Sequence, residues 1–291
     1  MTGWRKLGAN LFDAHAHLWI EAAAQGPRLT DYDSVLGELR TFAASGGDGL
    51  LDCQPPGCGR SLPRLRRLAR STGLAVVAST GFHLERYYPA NSWIETAGEE
   101  QASAFFCSEL SSGAAGCIKT AWSSTSDRRE LELLRAACTA ARRLDAPIVV
   151  HTERGRDVET LVGVLTDAGA EPARVQLSHL DKRPDAGLHR ELSQAGFLLG
   201  YDTFLRSAYE PERNVWPLLE RMLAEGRERS IACGLDLADP ALWSFGGGGV
   251  GMRGLADVVV PGLRRIGADD RQIGAVVGDN VRRFLAGAPA L

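Results

Sequence analysis

The stretch LFDAHAHL, at residues 11–18, alternates an aspartate and two histidines with small or apolar residues. This alternation predicts a β-strand, because side chains two positions apart on a strand share one face. Seven more short β-rich runs follow it along the chain. They lie at 48–53, 74–82, 116–121, 147–152, 174–180, 197–203 and 230–236.

Amphipathic segments at 61–71, 128–144, 157–168 and 212–224 lie between these runs, and residues 255–286 are expected to form the last helices. Strands that alternate with helices indicate parallel βαβ units. Eight such units in 291 residues predict an α/β fold, a closed (β/α)8 TIM barrel, with residues 1–291 as a single domain.

Composition excludes several classes of partner. The net charge of −3 offers no basic field for nucleic acid or an anionic membrane surface. No run approaches the roughly 18 apolar residues of a membrane span, and the start MTGWRKLGAN lacks the apolar core of a signal peptide. We therefore expect a cytoplasmic protein that acts on a small molecule. The six scattered cysteines are expected to be reduced core residues.

The chemistry of such a barrel sits at the carboxyl ends of its strands. His15 and His17 close the first predicted strand and share a face, which is a chelating arrangement. Further polar residues close later strands, namely Lys119, His151, His179 and Asp236. A lone histidine is more often a hydrogen-bonded core residue, but four of six histidines at strand ends favour a metal site.

Lys119, in GCIKTAW, is expected at the inner end of a buried strand. Burial of an ammonium group is costly unless the group is paired or neutral. The lysine could extend to the rim or pair with an acid. Alternatively, a neutral amine could capture CO₂ as a carbamate, an anionic ligand able to bridge two metal ions.

The complete set predicts a binuclear centre. Histidine nitrogens and carboxylate oxygens suit zinc, and manganese, cobalt or iron fit as well. Two such ions can hold a hydroxide and polarise a substrate oxygen. Asp236 would bind one ion and act catalytically, moving the proton from the attacking group to the leaving group.

The ordered set of ligands resembles the amidohydrolase superfamily. The stretches PPGCGRS (55–61), ASTGFHLERYYP (78–89), LSHLDKRPD (177–185) and VVGDNVRRFL (276–285) resemble its phosphotriesterase-like family, which includes phosphotriesterases and lactonases. The resemblance implies that His15, His17 and Asp236 hold a more buried ion. It implies that His151 and His179 hold a more exposed ion and that carboxylated Lys119 bridges the two. Related barrels often form homodimers.

The loop sequences say less about the substrate than the strand ends say about the metal ligands. YDTFLRSAYEPE (201–212) resembles a segment of sugar-lactonase relatives, but Ala208 stands where a lysine is common, which disfavours a phosphorylated sugar lactone. The expected substrate contacts are Tyr88, Tyr201, Arg206, Tyr209 and Trp243. The glycine-rich loop at 246–251 could bind phosphate, as loops after the last barrel strands do, but a mobile lid or a close-packed turn is favoured. His189 is interpreted as a solvated helix residue.

The sequence thus favours a metal-dependent hydrolase of a small ester, with a lactone as the leading substrate. The sequence leaves three alternatives open. The same site could cleave an amide, a cyclic amide or a phosphoester. A TatD-like metal nuclease would use a similar barrel, although that group usually has a glutamate where Lys119 stands. A binding barrel without catalysis would keep the fold alone.

Overall fold

A computed structural model describes residues 11–21, 26–125 and 127–291. The start MTGWRKLGAN, from which we predicted that no signal peptide is present, lies outside the described residues. In the described part, no helix combines the length and the apolar character that crossing a membrane requires.

Eight strands form one parallel sheet in the order of the chain, from β1 to β8. The strands are β1 (Leu11–Ala16), β2 (Gly47–Asp52), β3 (Ala75–Gly81), β4 (Cys117–Trp122), β5 (Ile148–Thr152), β6 (Val175–Ser178), β7 (Leu198–Tyr201) and β8 (Ile231–Cys233). All eight predicted strands are therefore present, and most of them are slightly shorter than their expected ranges.

Helices connect the strands. They are α1 (Tyr32–Ala44), α2 (Leu62–Thr72), α3 (Trp93–Thr96), α4 (Glu99–Ser111), α5 (Arg128–Leu144), α6 (Val158–Asp167), α7 (Ala186–Gln194), α8 (Val215–Ala224), α9 (Ser244–Gly247), α10 (Val260–Arg265), α11 (Asp270–Gly274) and α12 (Asn280–Phe284). Asp31 and Asp127 cap the first turns of α1 and α5 by accepting backbone N–H groups. The predicted (β/α)8 barrel is confirmed.

The barrel closes between its first and last strands. The backbone N–H of Asp236 donates to the carbonyl of His15 at 2.9 Å, and the N–H of Leu235 donates to Asp13 Oδ1 at 3.2 Å. Both bonds lie at the carboxyl end of the sheet. The seam of the barrel therefore runs directly beside residues that the sequence assigned to the metal site.

Apolar packing fills the barrel below that end. A cluster that includes Cys117 and Val149 packs against Phe284 of α12. Cys117 and Val149 lie two positions before Lys119 and His151 on the same strands, so they share the inward face with them. The six cysteines form no disulfide, and five of them are buried, as predicted for reduced core residues.

Candidate metal centre

The predicted ligands converge at one end of the barrel. A cavity of about 550 Å³ opens there, and its wall includes His15, His17, His151, His179 and Asp236. Lys119 lies beside them, with its Nζ atom 3.4 Å from His15 Nε2. Residues from five different strands or strand ends are thus brought to one point, as the parallel topology predicts.

One group of ligand atoms is deeply buried. His15, His17 and Asp236 each offer an atom within 4.8 Å of the others. The Oδ1 atom of Asp236 lies 3.8 Å from His15 Nε2 and 3.5 Å from His17 Nε2. Two imidazoles and one carboxylate that converge in this way could hold a divalent transition metal.

The second pair of histidines lies nearer the cavity mouth. The Nε2 atom of His179 and the Nδ1 atom of His151 are 3.0 Å apart, so both nitrogens point to the same place. The His151 side chain is 13% exposed, whereas that of His179 is 2% exposed. This arrangement fits a second, more accessible metal position.

Lys119 is the most unusual residue of the site, because a lysine side chain is rarely buried. Its side chain is completely buried, so it does not extend to the rim. In the described part of the chain no carboxylate lies within 4.0 Å of its ammonium group. The polar atom that it contacts is Nε2 of the His15 imidazole. A buried cation without a counter-ion is costly. The donor set therefore fits a lysine that is converted to an anionic ligand.

Three histidines are oriented by partners behind them. Asp202 accepts from His179 Nδ1 at 2.7 Å through Oδ1, and from His15 Nδ1 at 3.1 Å through Oδ2. Gln54 Oε1 accepts from His17 Nδ1 at 2.7 Å. Each Nδ1–H is thereby fixed, which leaves Nε2 free for a ligand in the cavity. Sequence reasoning missed Asp202 and Gln54, although both closely follow strands β7 and β2.

Burial keeps the imidazoles of His15, His151 and His179 neutral. It lowers the pKa of His15 and of His179 well below the ordinary value, and it lowers the pKa of His151 to about 4. Burial opposes ionisation of Asp236, but its neighbours, which include the Arg206 guanidinium group, hold the pKa of its carboxyl well below the usual range. Neutral imidazoles and an ionised carboxylate are the forms that bind metals.

Two of the ligand positions have a strained backbone. His179 and Asp236 adopt left-handed conformations, with φ of 65° and 47°. Residues other than glycine rarely adopt this region, and such strain concentrates at functional sites. The strain supports a functional rather than a purely structural role for both residues.

Arg206 and Tyr209, two of the five predicted substrate contacts, line the cavity. Arg206 is held by Asp236: its Nη2 atom lies 3.0 Å from Asp236 Oδ2 and also donates to the Asp236 carbonyl. The guanidinium group is therefore committed to the site carboxylate.

The other three predicted substrate contacts do not line the cavity, because each side chain packs inside the protein. Tyr201 is fully buried and bonds through its hydroxyl to His189 at 2.6 Å. Trp243 is 2% exposed and donates to the carbonyl of Leu237. Tyr88 is 4% exposed, and its hydroxyl accepts from the His83 backbone, whereas the adjacent Tyr87 lines the cavity.

The prediction for His189 was wrong. This residue is fully buried in α7, where Nε2 bonds to the carbonyl of Arg183 at 3.0 Å. The glycine-rich loop is largely exposed, with Val250 43% exposed and the preceding Phe245 44% exposed. Glu38 of α1 accepts hydrogen bonds from Ser244 Oγ, Phe245 N and Met252 N, so this loop is tied to the helix layer.

Several cavity residues were not predicted as substrate contacts. His83 lines the wall with its ring 4.8 Å from that of His151, and Nδ1 accepts from the Leu84 N–H at 2.7 Å. Nε2 of the neutral ring therefore carries the hydrogen. Arg86, Glu153 and Lys182 complete the charged part of the wall with Asp239. These residues lie on loops, which have neither the alternation of a strand nor the period of a helix, so the sequence pattern did not indicate which side chains face the cavity.

The chain is similar to known proteins along most of its length. The Phosphotriesterase family matches the chain over residues 5–285. A phospho-furanose lactonase of Mycoplasmopsis synoviae is 26% identical over 97% of this chain and 88% of its own. An N-acetyltaurine hydrolase of Tetraodon nigroviridis is 27% identical over 87% of this chain and 77% of its own.

The fold has close counterparts among solved structures. The crystal structure of a lactonase from Listeria monocytogenes superposes with a TM-score of 0.88 at 21% identity and covers 96% of this chain and 95% of that one. At this identity the likeness concerns the fold alone. Because the family match extends over nearly the whole chain, this chain belongs to the phosphotriesterase family and is a hydrolase.

Proposed function

We propose that this protein is a binuclear-metal-dependent hydrolase of a small carboxylic ester, and that its substrate is a lactone. The observation that carries the proposal is the burial of Lys119, without a carboxylate partner in the described residues, beside four convergent imidazoles and Asp236. The name of the phospho-furanose lactonase relative supports the choice of bond.

The residues divide into two sets of ligands. His15, His17 and Asp236 would hold the more buried ion, and His151 and His179 the more exposed one. Lys119, carboxylated by CO₂, would supply an anionic ligand to both. When bound, two divalent ions, zinc in our proposal, lower the pKa of a water molecule and polarise the carbonyl oxygen of the substrate.

The protein itself handles the proton. The Asp236 carboxylate takes the proton of the attacking water and passes it to the leaving alkoxide oxygen. Arg206 holds Asp236 Oδ2 at 3.0 Å, which fixes the orientation of that carboxylate. Asp202 and Gln54 keep the histidine rings in place during this transfer.

The test is a Lys119→Ala variant measured beside a matched control on the same strand, Thr120→Val. Metal analysis by mass spectrometry should find close to two divalent ions in the wild type and the control. The Lys119 variant should hold one ion or fewer and lose at least about 100-fold in lactone hydrolysis. Two retained ions with full activity in that variant would refute the carbamate assignment.

Amide hydrolysis is the second candidate, favoured by the N-acetyltaurine hydrolase among the relatives. The same centre can attack an amide or a phosphoester, because the metal chemistry does not select the leaving group. A panel of lactones, amides and organophosphates, assayed with metal-replete protein, separates these reactions. Hydrolysis of amides at rates that exceed those of every lactone would overturn the choice of a lactone.

A further inference from the structure

A second cavity lies at the opposite end of the barrel from the metal centre. It has a volume of about 290 Å³, which is near the lower end of the range for small-molecule sites. Its wall includes Arg174, Phe197 and Ser230, which stand directly before strands β6, β7 and β8. We call it the amino-end cavity. Among the described residues, none lines both this cavity and the metal cavity.

The amino-end cavity is lined by three arginines and by no acidic residue of the described chain. The arginines are Arg174, Arg229 and Arg283. Arg229 and Arg283 are exposed, so a ligand from solution can reach both guanidinium groups. The wall therefore combines a high density of positive charge with open access.

The position of Arg283 is fixed by neutral oxygen atoms. Its Nη2 atom donates to the carbonyl of Arg229 and to Asn280 Oδ1, both at 2.9 Å. Arg174 Nη1 likewise donates to the carbonyl of Phe284 at 2.9 Å. Carbonyl and amide oxygens hold a guanidinium group in place, but they carry no formal charge that would neutralise it.

Nearby acidic side chains leave most of this charge uncompensated. Asp145 Oδ1 lies 3.4 Å from Arg174 Nε, but the aspartate side chain is largely exposed to solvent. Asp279 is also largely exposed, and the arginine that it contacts is the one between Val281 and Arg283. In the described part of the chain no carboxylate lies within 4.0 Å of the guanidinium group of Arg283, and the same is true of the neighbouring arginine at 229.

The charges of Arg229 and Arg283 act on each other. Burial and the charge of Arg229 lower the pKa of Arg283 below its ordinary value, against the opposing effect of Asp279. Glu228, the acid directly before Arg229, lies 2.5 Å from Arg271 and is thereby paired. Like charges at short range repel, so an anion bound between the two arginines would relieve this repulsion.

The rest of the wall is mainly apolar. Phe197, Leu198 and Phe284 line the cavity and are buried in the protein. A single water molecule needs only about 15 Å³ of such volume, so the cavity of about 290 Å³ is far larger than one inorganic anion requires. It therefore has room for a carbon skeleton beside an anionic group.

We propose that the amino-end cavity binds a small organic phosphate or phosphonate. Its anionic oxygens bind Arg229 and Arg283, and its carbon skeleton packs against Phe197 and Phe284. Guanidinium groups suit this ligand because their planar set of donors matches phosphate oxygens in charge and geometry. The ligand joins the segment before β8 to α12 and so stabilises the folded chain. The inference does not depend on the proposed function, since it uses no residue of the metal centre.

The test measures the binding of phenylphosphonate, inorganic phosphate and benzamide by calorimetry. Phenylphosphonate has both an anionic group and a ring, whereas each of the other two probes has only one of these features. The titrations use the metal-loaded protein and are repeated after a chelator has removed the metals. Any binding at the metal centre is then recognised as the component that disappears.

Arg229→Gln is the principal variant. The guanidinium group of Arg229 has no hydrogen bond or ion pair in the described residues, so its removal should leave the fold intact. Arg283→Lys is the second variant, because it keeps the charge but loses the paired donors of the guanidinium group. Arg66→Gln, on the exposed face of α2, removes one positive charge elsewhere and is the matched control.

We expect one phenylphosphonate per chain to remain bound after the metals are removed. Its dissociation constant should rise about tenfold or more in Arg229→Gln, because one charge-assisted contact is worth that factor. Arg283→Lys should also bind more weakly than the wild type, and Arg66→Gln should bind equally well. Saturating phenylphosphonate should raise the Tm of the wild type by a few degrees and that of Arg229→Gln by less.

Three results would overturn the inference. Equal dissociation constants in the wild type and Arg229→Gln, or benzamide binding as tightly as phenylphosphonate, would mean that the arginines hold no anion. Inorganic phosphate binding as tightly as phenylphosphonate would mean that the cavity takes no carbon skeleton. Binding that vanishes entirely with the metals would place the anion at the metal centre instead.

Discussion

One carboxylate oxygen of Asp202 lies 2.7 Å from His179 Nδ1, and the other lies 3.1 Å from His15 Nδ1. His15 belongs to the deeper set of ligands and His179 to the outer pair. One carboxylate therefore orients a ligand in each of the two proposed metal positions. Asp202 itself is held by Asp181 Oδ2, which accepts from the Asp202 N–H at 3.0 Å.

Asp202→Asn should weaken metal binding at both positions, because an NH2 group that cannot accept replaces one carboxylate oxygen and the remaining amide oxygen carries no negative charge. Loss of such a supporting residue typically lowers metal affinity about 10- to 100-fold. Chelator competition measures the effect, with Asp257→Asn on the exposed surface as the matched control. Unchanged dissociation constants for both ions would mean that the histidines are oriented without Asp202.

Arg206→Met should lower kcat while the metal content stays close to that of the wild type. The guanidinium group contacts the Asp236 carboxylate and carbonyl, so its removal lets that carboxylate rotate away from the reacting oxygen. We expect a loss of about tenfold or more in steady-state kcat, with KM little changed. A rise of KM alone, with kcat intact, would indicate instead that Arg206 binds the substrate.

The stability of the protein should fall in mild acid, partly because of His189. Burial lowers the pKa of this residue from its ordinary value of 6.5 to about 4. Between these values the unfolded chain binds the proton and the folded chain does not, so lowering the pH favours unfolding. His189→Gln should remove about 2 kcal/mol of the stability lost between pH 7 and pH 5.

Denaturant unfolding of the metal-free protein at the two pH values measures this difference. The glutamine introduced by His189→Gln can still donate to the Arg183 carbonyl, which limits structural damage from the substitution. Equal pH dependence in wild type and variant would show that the pKa of His189 is the same in the folded and unfolded chain.

Glu38→Gln should destabilise the loop that follows β8. The carboxylate accepts three hydrogen bonds from Ser244, Phe245 and Met252, and an amide can reproduce only part of this set. The loss should be about 2 kcal/mol and should lower Tm by several degrees. Limited proteolysis should cut first within 244–252. Glu220→Gln, on the exposed face of α8, is the control, and an identical Tm in both variants would contradict the role of Glu38.

The fold and the convergence of the predicted ligands at one end of the barrel could be predicted because both follow from strand periodicity. His15, Lys119 and His151 lie near the ends of buried strands, and parallel strands bring their ends together. Asp202 and Gln54 also lie just after the ends of buried strands. They were missed because an acid or amide after a strand is common, and only the folded distances reveal its histidine partner.

The substrate wall was predicted less well, because loop conformation decides which side of a residue faces the cavity. Tyr87 and Tyr88 are adjacent, yet one lines the cavity and the other is buried. No sequence period distinguishes them. Tyr201 belongs to β7 itself and faces α7, where its hydroxyl group bonds to the buried His189.

The hydrogen bond between Asp236 N and the His15 carbonyl has a consequence for biosynthesis. The residues that close the seam include Asp13 and Leu235, which are 222 positions apart in the sequence. A nascent chain on the ribosome cannot assemble the deeper set of ligands until the eighth strand has emerged. Loading of a cation at that proposed position would therefore have to wait until the residues up to Asp236 have been translated.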